Sequence, residues 1–211
     1  MKILYLKSID STQKYLKNLL NSKEVKPPLA IVSDIQTDGI GSRDNSWDSL
    51  NGNLFLSFTI PLENLSKDLK LESSSIYFAY LLKELLNNYG SLVWLKWPND
   101  FYIGNLKIGG MITNIVGDNI VCGVGLNLVK TPSNFAKLDI EINREELLNN
   151  YFLKIEEKPF WKQVFSNYKL EFNCNKNFFT HKNNLKVSLG DAYLQSDGSI
   201  IIDNERMYSL R

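Results

Sequence analysis

The stretch "KWPNDFYIGNLKIGGMIT", Lys96 to Thr113, combines strand-like alternation with charged residues that a sheet core does not require. Apolar residues alternate there with two lysines and an aspartate, and a proline and several glycines interrupt the pattern. Glycine weakens a strand, and it often marks a place where a ligand or another backbone approaches closely. The stretch therefore indicates a β-hairpin with core residues on one face and a candidate site, containing Asp100 and Lys107, on the other.

A two-residue turn at Gly104–Asn105 sets the predicted register of this hairpin. Tyr102 is then opposite Lys107, and Asp100 is opposite Gly109. Because side chains alternate between the two faces of a strand, we expect these four residues on one face. Asp100 and Lys107 become diagonal neighbours, about 7 Å apart at the backbone.

The next hairpin repeats this arrangement in "NIVCGVGLNLV", residues 119–129. Val121, Gly123, Gly125 and Asn127 share one face, and the apolar residues between them share the other, which we expect in the core. The first face is a shelf of small residues that ends in an amide. A solvated sheet face with a structural ion pair explains either hairpin alone. Two adjacent glycine-bearing shelves, each with one polar residue, favour a binding site.

The composition excludes several classes of protein. The chain has 211 residues, of which 44% are hydrophobic and 22% charged, enough for one good-sized domain with a small appendage. A net charge of +1 argues against a general polyanion binder. Cys122 and Cys174 form no zinc or disulfide spacing, and His181 is the only histidine. No segment approaches 18 consecutive apolar residues, so we expect a soluble, cytoplasmic protein.

The remaining patterns predict a mixture of helices and strands. A polar, glycine-containing loop over 38–53 separates two of the strands, and short strands with turns make up the tail after residue 183. Predicted helices cover 8–22, 73–90, 143–155 and 159–170, and predicted strands cover 1–6, 29–37, 54–61 and 91–97.

A second candidate site is the loop "QTDGIGSRDNSW", Gln36 to Trp47. Its glycines, Ser42 and Arg43 are suited to surround an anion with backbone N–H groups and a guanidinium. Trp47 offers a ring face for stacking. The third glycine of a dinucleotide fingerprint is replaced by Asp44, and the lysine of a P-loop is absent. A loop of this kind alone is more often a simple connection.

Taken together, these segments and "DSTQ" resemble the motifs of the biotin–protein ligase family. Their order and spacing agree with the family from about Ser8 to Val129, and the tail resembles a shortened form of its small SH3-like C-terminal domain. The matching segments are "DSTQ" (10–13), "QTDGIGSRDNSW" (36–47), "GNLFLS" (52–57), "KWPND" (96–100), "KIGGMI" (107–112) and "GVGLNL" (123–128).

The resemblance implies an α/β fold. Residues 1–178 would form a class II synthetase-like catalytic domain, a mixed β-sheet with flanking helices. Residues 179–211 would form the SH3-like β domain. The implied activity is that of an ATP-dependent ligase, which activates biotin with ATP and Mg²⁺ to biotinyl-5′-AMP. Biotin then passes to a lysine of the biotin carboxyl carrier protein of acetyl-CoA carboxylase.

The resemblance also implies roles for individual residues. Lys107 and Arg43 would be catalytic, and Asp100 would either help to hold Mg²⁺ or orient Lys107. The implied biotin-binding residues are Ser11, Thr12, Gln13, Gln36, Gly39, Gly41 and Lys107. The implied adenylate-binding residues are Ser42, Arg43, Trp47 and Asn127.

The chain departs from the family pattern in the second candidate loop. The family's G-R-G-R is Gly39-Ile40-Gly41-Ser42 here, so both arginines are missing. Our hypothesis is that Arg43, one position later, replaces the second of them. Gln13 also stands where the family has asparagine.

Two alternative functions are compatible with parts of the sequence, and two kinds of partner are not expected. A lipoate–protein ligase shares the catalytic fold and the adenylate chemistry. A non-catalytic module that binds biotin or nucleotide would not need Lys107 between two substrates. Some relatives carry an N-terminal winged helix-turn-helix, but only one strand precedes Asp10 here. We therefore expect no DNA partner and no membrane association.

Overall fold

Apolar segments separated by turn residues build the sheets of this protein. The structure is a computed structural model, and it describes residues 1–41, 45–182 and 185–209. The α-helices are α1 (Thr12–Asn21), α2 (Ser74–Asn88), α3 (Arg144–Glu156) and α4 (Trp161–Glu171). The strands are β1 (Lys2–Leu6), β2 (Leu29–Ser33), β3 (Gly39–Ile40), β4 (Ser46–Trp47), β5 (Leu54–Pro61), β6 (Trp94–Lys96), β7 (Asp100–Ile103), β8 (Leu106–Val116), β9 (Asn119–Leu126), β10 (Phe179–Lys182), β11 (Leu185–Ser188), β12 (Tyr193–Leu194), β13 (Ile200–Ile202) and β14 (Glu205–Met207).

Seven strands form the main sheet in the order β1-β2-β5-β9-β8-β7-β6. β1 and β2 run parallel, and every other neighbouring pair is antiparallel. Nearly all residues of β2 and β5 are buried, because elements cover the sheet on both faces there. The predicted mixed sheet is confirmed.

Helix α1 covers one face of this sheet. Its N-cap residue is Ser11, whose hydroxyl accepts a hydrogen bond from the Lys14 backbone N–H at 3.4 Å. Leu16 is fully buried and packs with Leu29, Ile31 and Val121 in a small apolar cluster beneath the helix. Capping and packing therefore place the start of α1 directly over the middle of the sheet.

Helices α2, α3 and α4 cover the opposite face. Of the 15 residues of α2, 11 are buried, and the main hydrophobic core fills the space between this helix, its two neighbours and the sheet. The predicted N-x-x-E box at the start of α3 is confirmed in part. The Asn143 side chain accepts from the N–H groups of Glu145 and Glu146 at 2.9 and 3.0 Å.

The register of the β7–β8 hairpin differs from the prediction at one end. Tyr102 pairs with Lys107 as predicted, but Asp100 pairs with Gly110 and not with Gly109. A β-bulge explains the difference, because Ile108 is an extra residue on β8 with no partner across the hairpin. Because of the bulge, Gly110 and not Gly109 lies on the face that carries Asp100 and Lys107.

The β8–β9 hairpin follows the predicted alternation. Ile120, Cys122 and Leu126 are fully buried in the main core, whereas Gly123 and Gly125 lie on the face shared with α1. After α4, two small antiparallel sheets form, β10–β11 and β12–β13–β14, in line with the predicted small C-terminal β unit. Over the residues that are described, no helix is both long and apolar enough to cross a membrane.

The predicted polar loop over 38–53 contains short strands that the sequence pattern does not reveal. β3 and β4 pair as a two-residue ladder, with Gly39 opposite Trp47 and Ile40 opposite Ser46. The ladder brings both ends of this loop together beside the main sheet. Residues 42–44, within it, lie outside the described part of the chain.

Candidate active site

Two segments distant in sequence lie side by side at the start of α1. Residues 9–10 and 35–38 are joined by backbone hydrogen bonds, including Thr37 N–H to the Ile9 carbonyl at 2.9 Å and Asp38 N–H to the Asp10 carbonyl at 2.8 Å. This pairing brings the first helical residue, Thr12, against the Gln36 side chain.

Thr12, Gln36 and Ser57 form a neutral hydrogen-bond network. The backbone N–H and the hydroxyl of Thr12 both donate to Gln36 Oε1, at 2.9 and 3.0 Å. Because the Thr12 hydroxyl has a single proton, its 2.9 Å contact with Ser57 Oγ requires Ser57 to donate. The network has no formal charge, and such a set of donors and acceptors suits an uncharged polar ligand group such as a urea.

Gln13 extends this network with one acceptor that has no partner in the part of the chain that the structure describes. Its Nε2 faces the Asn114 side-chain oxygen at 3.1 Å and the Val121 carbonyl at 3.5 Å. Since a backbone carbonyl cannot donate, these contacts orient the amide with Oε1 toward Gly123, where an added Cβ would lie 2.6 Å from that oxygen. Gln13 is 4% exposed, and its Oε1 has no hydrogen-bond partner within residues 1–41, 45–182 and 185–209.

The charged part of the site is an ion pair on the β7–β8 hairpin. Lys107 Nζ lies 2.6 Å from Asp100 Oδ1, and Lys96 Nζ lies 3.7 Å from Asp100 Oδ2. The Lys107 side chain keeps 25% of its surface exposed, so the ammonium remains accessible. Nearby, burial and the Asp100 charge raise the pKa of Tyr102, which stays neutral at physiological pH.

Trp47 lies across the glycine shelf of β9. An added Cβ at Gly125 would be 2.5 Å from the indole ring, so only glycine admits this packing. Lys107 Nζ is 5.8 Å from the centre of the ring, and Phe135 meets it edge-on at 6.3 Å between ring centres. The indole N–H is buried, and none of the described residues accepts a hydrogen bond from it.

These groups surround one cavity with a volume of about 210 Å³. Among its described lining residues, Lys107 is the one cationic side chain and Asp100 the one carboxylate. A wider cleft of about 980 Å³ adjoins it and extends to Lys96, His181 and Lys186. The predicted site residues that line the smaller cavity are Ser11, Thr12, Gln13, Gln36, Gly41, Trp47, Asp100 and Lys107.

The structure does not bring every predicted residue into the cavity wall. Gly39 lies behind it, paired with Trp47. Asn127 is 1% exposed, and its side-chain amide donates to the Ala136 carbonyl at 3.1 Å, so it holds the following segment in place. Its adenine role stays a prediction. The predicted residues Ser42 and Arg43 lie outside the described part of the chain.

The donor set around Asp100 does not fit a metal site built by the protein alone. Its carboxylate lies between the ammonium groups of Lys107 and Lys96, which neutralise the charge that a cation needs. No group of three or more metal-ligating side chains was found among residues 1–41, 45–182 and 185–209. Of the two roles predicted for Asp100, the geometry favours orientation of Lys107.

Sequence reasoning did not assign Ser57, Asn114 or Phe135 to the site. Ser57 had a signal, because it is a lone hydroxyl in the apolar strand "LFLSFTIP". Asn114 had a weaker one, as a polar residue in a long strand. Phe135 had none, since it reaches Trp47 from an irregular loop whose course depends on tertiary packing.

Comparison with known proteins relates this geometry to a family. A sequence model of the biotin/lipoate A/B protein ligase family matches residues 5–127, which is more than half of the chain. The chain belongs to this family. The matched region contains all the cavity-lining residues described above except Phe135.

Solved structures extend the similarity to nearly the whole chain. A biotin acetyl-coenzyme A carboxylase synthetase from Helicobacter pylori, crystallised with biotinylated ATP, is 38% identical, with a TM-score of 0.94 over 98% of this chain and 99% of that one. The biotin protein ligase from Aquifex aeolicus is 22% identical with a TM-score of 0.80, which indicates a shared fold. These similarities confirm the predicted catalytic fold with a small C-terminal β unit.

Curated members of the family are longer than this chain. Biotin–protein ligase 2 of Arabidopsis thaliana is 32% identical over 160 residues, which cover 64% of this chain and 46% of that protein. The bifunctional ligase/repressor BirA of Escherichia coli is 32% identical over 133 residues, which cover 60% and 40%. The matched part of this chain thus spans about half the length of the curated relatives, or less.

Proposed function

We propose that this chain is a biotin–protein ligase. In the first step, a biotin carboxylate oxygen bonds to the α-phosphorus of ATP and pyrophosphate leaves, which yields biotinyl-5′-AMP. In the second step, the amine of a carrier lysine attacks the biotinyl carbonyl, loses a proton, and releases AMP. The carrier is the biotin carboxyl carrier protein of acetyl-CoA carboxylase. A cytoplasmic location is part of the same proposal.

The observation that supports this proposal most is the pairing of two chemistries in one cavity. Thr12, Gln36 and Ser57 offer uncharged hydrogen bonds, which suit the ureido ring of biotin. Lys107 offers a single accessible ammonium, held at 2.6 Å by Asp100. Two anions must meet for adenylation, so a cation positioned between them stabilises the charge of the transition state.

Other residues have subordinate roles in this mechanism. Asp100 fixes the direction of the Lys107 ammonium, and Trp47 provides a ring face for adenine. Arg43 retains the adenylate through its phosphate, a role that rests on the sequence alone. Mg²⁺ commonly binds through substrate phosphates with only one or two carboxylates, so we propose that it arrives as part of MgATP.

Two alternative functions make different demands on the same cavity. A lipoate ligase would offer the Thr12–Gln36–Ser57 network an uncharged dithiolane without N–H donors, which leaves buried polar groups unpaired. A binding module without catalysis would have no use for the paired Lys107. The first alternative conflicts with the Thr12–Gln36–Ser57 network, and the second conflicts with the paired Lys107. Biotin ligation is compatible with both features.

Isotope exchange between pyrophosphate and ATP tests the first half-reaction. We expect exchange that depends on biotin and not on lipoate or octanoate. Mass spectrometry of an added biotin carboxyl carrier domain, with and without ATP, tests the second. Exchange supported by lipoate alone would establish the lipoate alternative, and binding of biotin without exchange would establish the non-catalytic one.

A further inference from the structure

One turn of the C-terminal β unit accepts hydrogen bonds from three side chains, which come from separate segments of the chain before residue 178. We call residues Gln195–Ser199 the docking turn. Each of three consecutive carbonyls in it accepts one hydrogen bond. The bonds are Trp161 Nε1 to the Ser196 carbonyl at 2.8 Å, Ser73 Oγ to the Asp197 carbonyl at 2.6 Å, and Trp97 Nε1 to the Gly198 carbonyl at 2.8 Å.

The docking turn is hydrogen-bonded internally and closely packed. The Asp197 carboxylate accepts from Ser199 N–H at 3.0 Å and Ser199 Oγ at 2.6 Å, and from Arg206 at 2.7 Å. An added Cβ at Gly198 would lie 2.7 Å from Ile76 Cδ1, so the backbone rests directly on α2. Fixed in this way, the three carbonyls act as rigid acceptors for the residues that bind them.

Trp97 connects this turn to the active site. Besides its indole bond, its backbone N–H donates to the Asn175 side chain at 2.7 Å, and both residues are fully buried. Two residues later, the Asn99 carbonyl accepts from Met111 N–H at 3.0 Å, and the Asn99 side-chain amide bonds the Met111 carbonyl. Asp100 follows directly and meets Lys107.

Both N–H donors of Trp97 are therefore satisfied by partners from beyond residue 170. We infer that Trp97 is a positioning residue, through which the docking turn and Asn175 set the segment Trp97–Asp100 and thereby the direction of the Lys107 ammonium. This inference rests on the proposed ligase function. It makes the C-terminal β unit part of the catalytic machinery, although no residue of the docking turn lines the smaller cavity.

Trp161 provides a matched control. Its indole donates to the same turn at the same 2.8 Å, and it is nearly as buried as Trp97, at 6% against 0% exposure. However, it begins α4, and no residue of that helix lines either the cavity or the adjoining cleft. Trp→Phe at either position removes one indole N–H and a similar volume.

The experiment compares Trp97→Phe with Trp161→Phe in the full chain. Retained biotinyl-adenylate per chain counts competent sites, and the single-turnover rate per competent site reports their chemistry. We expect Trp97→Phe to lower that rate by about 10- to 100-fold, the scale of a misplacement near 1 Å, with the KM for biotin unchanged. Trp161→Phe should stay within about twofold of wild type, on the same reasoning, while both variants lower the melting temperature.

Equal rates per competent site in the two variants, with an active wild type, would overturn the inference and leave the turn a purely structural contact. Should Trp97→Phe fail to fold, Asn175→Ala removes the acceptor of the Trp97 backbone N–H and leaves both indole bonds in place. It should slow the chemistry about 3- to 10-fold by a smaller displacement, and an unchanged rate overturns the inference. A wild type without biotin-dependent exchange overturns the proposed function itself, and this inference with it.

Discussion

The two faces of the β8–β9 hairpin are built from the same strands but satisfy different requirements. On the core face, Ile120, Cys122 and Leu126 are fully buried among apolar neighbours. On the shelf face, Gly123 and Gly125 leave room for Gln13 and the Trp47 indole. The core face contributes stability through the area that it buries. The shelf face contributes geometry, because the absence of side chains determines where other residues lie.

This contrast shows why glycine and charge occur together in the stretch that begins at Lys96. The pattern continues on β8, where an added Cβ at Gly110 would lie 3.1 Å from Asp100 Oδ1 and 3.5 Å from Lys107 Nζ. Each shelf glycine therefore lies beneath a specific functional side chain. A substitution on the shelf should alter activity, whereas one on the core face should alter stability.

Lys107→Ala is expected to have the largest effect and to separate the two faces most clearly. Removal of a cation that stabilises the transition state should slow adenylate formation on the order of a thousandfold. The fold should remain, because the Lys107 side chain is partly exposed and its ion-pair partner, Asp100, is also partly exposed. Single-turnover adenylation and thermal unfolding measure the two properties. Near-normal adenylation would remove Lys107 from the mechanism.

Gly125→Ala should have the next largest effect on activity. The substitution should act by displacing the Trp47 side chain. The new methyl group would lie 2.5 Å from the Trp47 ring, so the indole has to move. Base–aromatic stacking contributes about 1–3 kcal/mol, so adenylate retention should weaken about 5- to 150-fold.

Gly123→Ala is the matched control for that variant. Its methyl group meets Gln13 Oε1, at the end of a flexible side chain. Its effect should be on the KM for biotin, with adenine binding retained. Identical changes in the KM for biotin and the KM for ATP in both variants would indicate general damage to the strand, contrary to the roles assigned to the shelf.

Ile120→Val tests the core face with a smaller change. Loss of one buried methylene should reduce the free energy of unfolding by about 0.5–1.5 kcal/mol. The melting temperature should fall by a few degrees, at about 2–4 °C per kcal/mol for a domain of this size. The adenylation rate per folded molecule at 25 °C should not change. A clear loss of rate would show that packing on the core face reaches the shelf.

Much of this architecture is accessible from the sequence, because it depends on local periodicity. Helix α2 and strand β5 follow from their apolar patterns, and the turn at Gly104–Asn105 follows from its residue types. The bulge at Ile108 does not, since it depends on how a strand adapts to the elements packed on both faces. As a result, the prediction assigned Gly109 to a face that belongs to Gly110.

Site residues that lie in recognisable motifs could be predicted from the sequence. Site residues that come together only through contacts between distant segments could not. Thr12, Gln36, Trp47 and Lys107 follow from a family resemblance, and all four line the cavity. Phe135 depends on the course of an irregular segment. The docking turn depends on contacts between residues 35 to 124 positions apart in the chain, such as Trp97 with Gly198. Sequence spacing carries no signal for such pairs.

The smallest expected effect concerns the two cysteines, and it tests which face of β9 is the core. Cys122 precedes Gly123 and is fully buried on the core face, where burial raises the pKa of its thiol. Cys174 is exposed after α4. Because the thiolate is the reactive form, we expect one thiol per folded chain to react rapidly with a disulfide reagent at pH 8.

The thiol of Cys122 should react at least about 100-fold more slowly, because it needs an opening of the strands that cover it. Raising the pH to 9 should not remove this difference, since the folded-state pKa of Cys122 lies well above its ordinary value. Cys174→Ser should abolish the fast reaction, and unfolding in guanidinium should expose the remaining thiol at once. A fast thiol that persists in Cys174→Ser would mean that Cys122 is accessible in the folded state, and the assignment of core and shelf on β9 would have to be reversed.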